Sequence, residues 1–264
     1  MNKTGEEPIL SLPERHNRIL ALLQQFGSIS VAQLAERFKV SEVTIRKDLS
    51  YLEQQKKLYR THGSAILISP YISDRHVNEK EKRNVAEKRA IGAFAASLIA
   101  QDDSIIIASG TTVTFLAREI NPAGHLTAIT ASVHVTQILS QCPDVDVIQL
   151  GGITRSSSVS VVGPFAEQML RSFNCSKLFI GVDGIDTEFG LTTTNMLEAS
   201  LNGAMIDAAQ KVIVLADSSK FGRRGFSKIC DLESVDRIIT DSGVQSVYLD
   251  RLRERGIEVT VVDV

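Results

Sequence analysis

Up to about residue 68 the apolar positions recur at helical spacing; beyond Ser104 they gather in short β-branched runs. In the first stretch Ile19, Leu20, Leu22, Leu23 and Phe26 mark one face of a helix that Ser11 and Glu14 can open and Gly27 can close. Leu34, Ala35 and Phe38 stripe a second helix. Ser30, with Gln33 three residues on, supplies its capping box. Ile45, Leu49 and Leu52 fall at i, i+4 and i+7 on a third, which Ser41 can cap while Glu42 favours its positive end. Leu58–His62 and Ala65–Ile68 then read as two short strands around Gly63-Ser64, a β-hairpin wing. Residues 1–10 are expected to be disordered.

The later rhythm predicts a different architecture. Ser69–Ser73 reads as a linker, and the charged run from Glu79 to Arg89 leads into Ile91, Phe94, Ala95, Leu98 and Ile99 as one helix. Seven apolar runs follow, at 105–108, 127–130, 145–150, 178–182, 212–216, 235–240 and 259–262. Helices are expected between them near 113–120, 133–140, 164–173, 197–209 and 247–255. Strands apolar on both faces, alternating with helices, make a parallel α/β sheet. The expected division is a helical unit with its hairpin wing at 11–68, a linker at 69–78 and an α/β unit at 79–264.

Charge sharpens the first unit. Between Glu14 and His62 nine basic residues face five acidic ones, a net +4 within a chain of net −2, so the rest carries −6. A basic module on an acidic body fits DNA binding at one end only. The third helix presents Val43, Thr44, Arg46, Lys47 and Ser50 away from its apolar stripe. Arg reads guanine edges, Thr reaches a base or a thymine methyl, and Lys neutralises phosphate. With Ser41 at the helix start and Arg60 and His62 on the hairpin, these are the expected DNA contacts. On charge alone, an ordinary solvated helix face is the simpler reading; the paired caps and the hairpin reverse it. Tyr51 and Tyr59 read as core edges, and His16, His76, His125 and His134 as surface residues without metal-ligand spacing.

In the second unit the polar residues cluster just after the strands, where parallel sheets bind ligands. Ser109-Gly110-Thr111-Thr112 precedes a helix whose free N–H groups suit a phosphate. Thr130 ends the second strand, Gly151, Gly152 and Arg155 follow the third, Asp183 and then Glu198 the fourth, and Lys220 the fifth. Singly each is an ordinary turn residue; together they make an effector pocket the better reading. Arg223 and Arg224 could bind DNA phosphates, but read better as a loop over that pocket or as solvated charge.

These residues carry a resemblance. S-V-A-Q-L-A-E-R-F-K-V-S-E-V-T-I-R-K-D-L-S-Y-L-E, followed by R-T-H-G, closely resembles the winged helix-turn-helix of DeoR-family bacterial transcription regulators. S-G-T-T, G-G-I-T-R, G-V-D-G-I-D, G-L-T-T-T-N and A-D-S-S-K-F-G resemble that family's sensor domain. The resemblance implies a Rossmann-like sheet similar to ribose-5-phosphate isomerase, with Asp183, Glu198 and Lys220 on the enzyme's turn-aspartate, glutamate-base and lysine positions. The chain departs from the family pattern at Ser64, at Lys56-Lys57 and at Ala131, where glycine, glycine and asparagine are usual. L-E-A-S-L-N-G-A-M is similar to the amino-sugar regulator branch. The expected function is a repressor of sugar-catabolism genes relieved by a phosphorylated sugar, acting on a double-stranded operator as a homodimer or homotetramer. An active sugar-phosphate isomerase or deaminase with a DNA-binding appendage stays open. No catalytic residue, metal or cofactor is expected. Three distant cysteines, no C-x-x-C and no apolar run of spanning length point to a soluble cytoplasmic chain.

Overall fold

Ser30 and Ser41 set the geometry of the first unit. In the computed structural model, which describes residues 11–26, 28–55, 57–61, 64–67 and 76–264, helix α1 (Leu12–Phe26) is followed by strand β1 (Ser28–Ser30) and helix α2 (Val31–Phe38). The Ser30–Gln33 capping box is formed in both directions. Lys39 takes the left-handed conformation at φ 52° and closes α2, and Ser41 caps helix α3 (Glu42–Gln54) by accepting from the Thr44 amide at 3.2 Å. Strands β2 (Leu58–Thr61) and β3 (Ser64–Leu67) pair antiparallel, and β3 also pairs with β1, which periodicity did not predict. Ile19, Leu34, Ile45, Leu49 and Leu58 are fully buried and make one core. His62, the Gly27 stop, the Gly63 turn and most of the expected linker lie outside the described residues.

His16 is not a surface residue. It is 6% exposed, with Nε2 3.1 Å from Asp48, and its ring lies 5.1 Å from that of Tyr51. Arg15 clamps the same carboxylate with Nε at 2.6 Å and Nη2 at 3.0 Å. Asp48, 3% exposed, thus ties α1 to α3 from inside the unit. Tyr51 covers this cluster from outside, half exposed.

By its contacts the chain divides into two units, Met1–Pro70 and Tyr71–Val264. The second opens with α4 (Val77–Glu81), capped by His76 within the stretch read as linker, and α5 (Val85–Ala96). The single charged helix expected there is broken at Asn84, whose φ of 49° is left-handed and whose amide donates to Asp217 at 2.8 Å. Asn tolerates that conformation better than most residues.

The seven apolar runs form a seven-stranded sheet. In chain order they are β4 (Ser104–Ile107), β5 (Leu126–Thr130), β6 (Val145–Gln149), β9 (Lys177–Gly181), β12 (Val212–Leu215), β14 (Arg237–Asp241) and β15 (Glu258–Val262). The numbers between belong to short strands outside it: β7 (Ile153–Arg155) with β8 (Ser160–Val162), and β10 (Gly184–Asp186), β11 (Gly190–Thr193) and β13 (Ser227–Cys230) in a second small sheet. All pairings in the large sheet are parallel, in the order β15-β14-β12-β9-β4-β5-β6. Side chains alternate between faces. Ile105 and Ile107 join one core while Ile106 and Ala108 join the other. Helices α6 (Thr111–Glu119), α7 (Val133–Leu139), α8 (Pro164–Leu170), α9 (Met196–Asp207) and α10 (Ser246–Glu254) occupy the predicted positions.

Candidate DNA-reading face and effector cleft

Burial of Ile45, Leu49 and Leu52 fixes the rotation of α3 and leaves the opposite face to solvent. Val43 is 58% exposed, Arg46 and Lys47 are exposed, and Thr44 and Ser50 are half-buried. Ser41 spends its hydroxyl on the cap. Arg46 leans on Glu42 at 2.7 Å, an exposed pair of small energetic weight. Arg60 on β2 donates from a guanidinium N–H to the Ser50 hydroxyl and from its backbone N–H to Glu53 at 2.9 Å. Arg60 thus joins β2 to the exposed side of α3. Lys47 makes no ion pair among the described residues.

The second site forms where the strand order reverses. From β4 the chain winds to β5 and β6, and from β9 to β12, β14 and β15, so β4 and β9 flank a topological switch point. Ser109 and Gly110 leave β4 there, and Gly181, Val182 and Asp183 leave β9. Gly110 caps α6 at φ 127°, ψ 166°, a region open only to glycine. The start of α6, at Gly110, Thr111 and Thr112, lies on the cleft.

Seven predicted effector residues line a cavity of about 60 Å³: Ser109, Gly110, Thr111, Thr112, Asp183, Glu198 and Lys220. Arg155 reaches Glu198 at 3.1 Å, both side chains 12% exposed. The other three lie elsewhere. Thr130 is fully buried and its hydroxyl accepts from the Ser132 amide at 3.0 Å, a turn-stabilising role. Gly151 and Gly152 sit on an exposed turn before β7, and a side chain at Gly152 would meet the Val162 carbonyl at 2.7 Å. Arg224 grips Asp186 with two bonds, at 2.8 and 3.0 Å, and is a structural pin rather than a loop over the cavity.

The cavity wall also contains Val77, Lys80, Ser157, Ser158, Thr193 and Asn202, none of them predicted site residues. Lys80 Nζ stands 2.9 Å from Asp183. The Thr193 hydroxyl lies 3.2 Å from Asp183 and 3.3 Å from Glu198. Burial pushes the Asp183 carboxyl up, but the Lys80 and Lys220 ammonium groups and the Thr193 hydroxyl bring it below the ordinary range. Behind the wall, Lys88 is 3% exposed and donates to the carbonyls of Lys80 and Arg83; burial lowers its pKa to about 8. A larger groove of about 730 Å³ runs between α8, α9 and β13 and holds none of the predicted residues.

Fold and surfaces define a class: a helix-turn-helix regulator whose small DNA-reading unit precedes an α/β ligand-binding unit. The chain belongs to the DeoR family of transcriptional regulators; the DeoR-like helix-turn-helix domain matches residues 15–71 and the DeoR C terminal sensor domain residues 83–242. It is 39% identical over 249 residues to YulB of Bacillus subtilis (strain 168), an HTH-type transcriptional regulator itself uncharacterised, covering 94% of this chain and 96% of that one. A protein of Escherichia coli O157:H7 provisionally named aga operon transcriptional repressor is 37% identical over 262 residues, 98% of this chain and 97% of that one. Ribose 5-phosphate isomerase A from Methanocaldococcus jannaschii aligns over 52% of this chain and 55% of its own, at 16% identity and a TM-score of 0.38, a likeness too slight to bear on substrate or site.

Proposed function

We propose that this protein is a cytoplasmic repressor of sugar-catabolism genes, relieved when a phosphorylated sugar enters the cleft at the switch point. One observation carries the reading. At a single cavity the start of α6, at Gly110, Thr111 and Thr112, and Lys220 come together with the carboxylates of Asp183 and Glu198. The first pair suits a phosphate and the second suits sugar hydroxyls. Ser109 to Thr112 receive the anion, and Arg155 orients Glu198. Residues 11–68 read the operator through Ser41, Val43, Thr44, Arg46, Lys47, Ser50, Arg60 and His62. The α/β unit from about residue 79 senses the effector and joins copies into a dimer or tetramer. Exposed Phe165, Met196 and Phe226, 69%, 64% and 71% exposed, give it apolar surface for that contact. Two readers about 34 Å apart match half-sites one DNA turn apart.

The geometry favours binding over turnover. Glu198, on the position that the resemblance gives to the base, is engaged by Arg155 at 3.1 Å and lies 3.3 Å from the Thr193 hydroxyl, which suits a carboxylate held to accept ligand hydroxyls. The test is thermal shift against glucose 6-phosphate, fructose 6-phosphate, ribose 5-phosphate, glucosamine 6-phosphate and N-acetylgalactosamine 6-phosphate, then operator release and turnover assays on each hit. Stabilisation and operator release without turnover is the expected result. Product formation would favour the isomerase or deaminase reading, and no stabilisation by any phosphorylated sugar would remove the proposed effector class.

A further inference from the structure

Helix α4 is the first element described after the hairpin, and part of it is a wall of the cleft. Lys80 occupies the place where ligand hydroxyls are wanted: its ammonium sits 2.9 Å from Asp183, with the two side chains 29% and 16% exposed. The cavity left beside it is about 60 Å³, against roughly 300 Å³ or more for an ordinary small-molecule site. The cleft is thus partly filled by the protein's own cation.

Several contacts hold α4. The Val77 amide donates to the Ser157 carbonyl at 2.7 Å, and Lys88 Nζ takes the Lys80 and Arg83 carbonyls at 2.5 and 2.7 Å. Glu81 pairs with Arg118 at 2.6 Å. Among the described residues, Lys80–Asp183 is the one side-chain contact of α4 that a ligand on Asp183 would compete with directly.

We propose that Lys80 reports occupancy of the cleft: it satisfies Asp183 until a polyol phosphate displaces it, which loosens α4, the first described element beyond the DNA-reading unit. The inference rests on reading this cleft as the effector site. A ligand shifts an equilibrium only through differential affinity for its two states. Here the difference is local. Asp183 accepts either the lysine or the incoming hydroxyls, and Lys220 remains as the second cation nearby. The displaced ammonium, already partly exposed, returns to water.

The test uses the full chain as Lys80→Met and Lys80→Arg, with Lys82→Met as a control for loss of an exposed charge nearby. Amide exchange over residues 77–83 and affinity for an operator fragment are both measured without ligand. Lys80→Met is expected to exchange at least tenfold faster there and to bind the operator at least fivefold more weakly. Lys80→Arg and Lys82→Met should stay within twofold of wild type in both. Should Lys80→Met not fold, Asp183→Asn breaks the same contact from the other side and carries the same expectation. Exchange unchanged in the Met variant, or faster exchange with unchanged operator affinity, overturns the proposal. Neither readout needs a sugar phosphate, so a failure of the cleft reading in the thermal-shift panel is separately visible.

Discussion

Replacing Asp48 by alanine should cost the DNA-reading unit most of its stability. The carboxylate receives Arg15 at 2.6 and 3.0 Å and faces His16 at 3.1 Å, and the Arg15 and Asp48 side chains are 11% and 4% exposed. Removing one partner strands a guanidinium with little access to water, which costs about 3–5 kcal/mol. At roughly 0.05–0.15 kcal/mol per residue, a unit of this size holds only about 3–9 kcal/mol. Arg15→Met with Asp48→Leu removes both charges and should recover at least half of the loss, because desolvation of the ions goes with them. The assay is amide exchange in rising urea, read on fragments from each unit: the midpoint should fall for residues 30–60 and stay put for residues 104–240. A loss below about 1 kcal/mol, or a double variant as unstable as Asp48→Ala, refutes the argument.

Other expectations separate the two surfaces. Lys47→Ala should weaken binding to all DNA sequences and lower the salt slope by roughly 0.9, one phosphate contact. Arg46→Ala should instead relax specificity at one base pair, at about 1–3 kcal/mol; both are read by titrating operator and scrambled DNA at several salt concentrations. Lys220→Met keeps most of the side-chain volume and removes the charge; effector response should be lost with operator affinity near wild type, measured by releasing bound operator with the sugar phosphate that gave the largest thermal shift. Lys88 titrates near 8 when folded against about 10.5 when free. Between those values the unfolded chain binds more protons, so the Lys88 contribution makes stability rise with pH, by roughly 3 kcal/mol at most. Denaturant melts from pH 7 to 10.5 should show this rise in wild type and its absence in Lys88→Met.

The sheet was legible because Ile105–Ala108 or Val212–Ala216 leave no doubt about burial on both faces, and the first helices because Ser30 and Ser41 announce their starts. Other features had a readable signal that charge concealed. Asp48 lies in phase with Ile45, Leu49 and Leu52, and Lys88 with Ile91 and Ala95, so each is a charge on an apolar stripe. A buried polar partner follows from that phase alone: the Arg15 guanidinium for Asp48, two backbone carbonyls for Lys88. Lys80 had no such mark: in E-K-E-K-R one lysine reads like the next, and only the tertiary fold brings it to Asp183, 103 residues away. Strands of three residues, such as β7, β8 and β10, are too short to show a period. Thr130 and Gly152 show the opposite error, since a hydroxyl can end a strand to hold the next turn, and a glycine can be required by a carbonyl packed against it.

The polar half of the cleft constrains what can fill it. Thr193 carries one hydroxyl hydrogen but lies within bonding distance of two carboxylates, Asp183 at 3.2 Å and Glu198 at 3.3 Å, so it serves one at a time. Thr194 adds a long contact of 3.4 Å to the same Asp183 oxygen. Arg155 supports Glu198 from one side, and Lys80 supports Asp183. If a ligand displaces Lys80, Asp183 loses its strongest donor while still largely buried, and an unpaired buried charge is costly. Inorganic phosphate brings its own negative charge towards the carboxylates and cannot span from the helix end to both of them, whereas a polyol with adjacent hydroxyls can serve both carboxylates at once. Phosphate alone should therefore compete for the helix end without causing operator release, and a sugar phosphate with its carboxylate-facing hydroxyls removed should behave like phosphate. Operator release by inorganic phosphate at the concentration that saturates the cleft would show that Asp183 and Glu198 play no part in recognition.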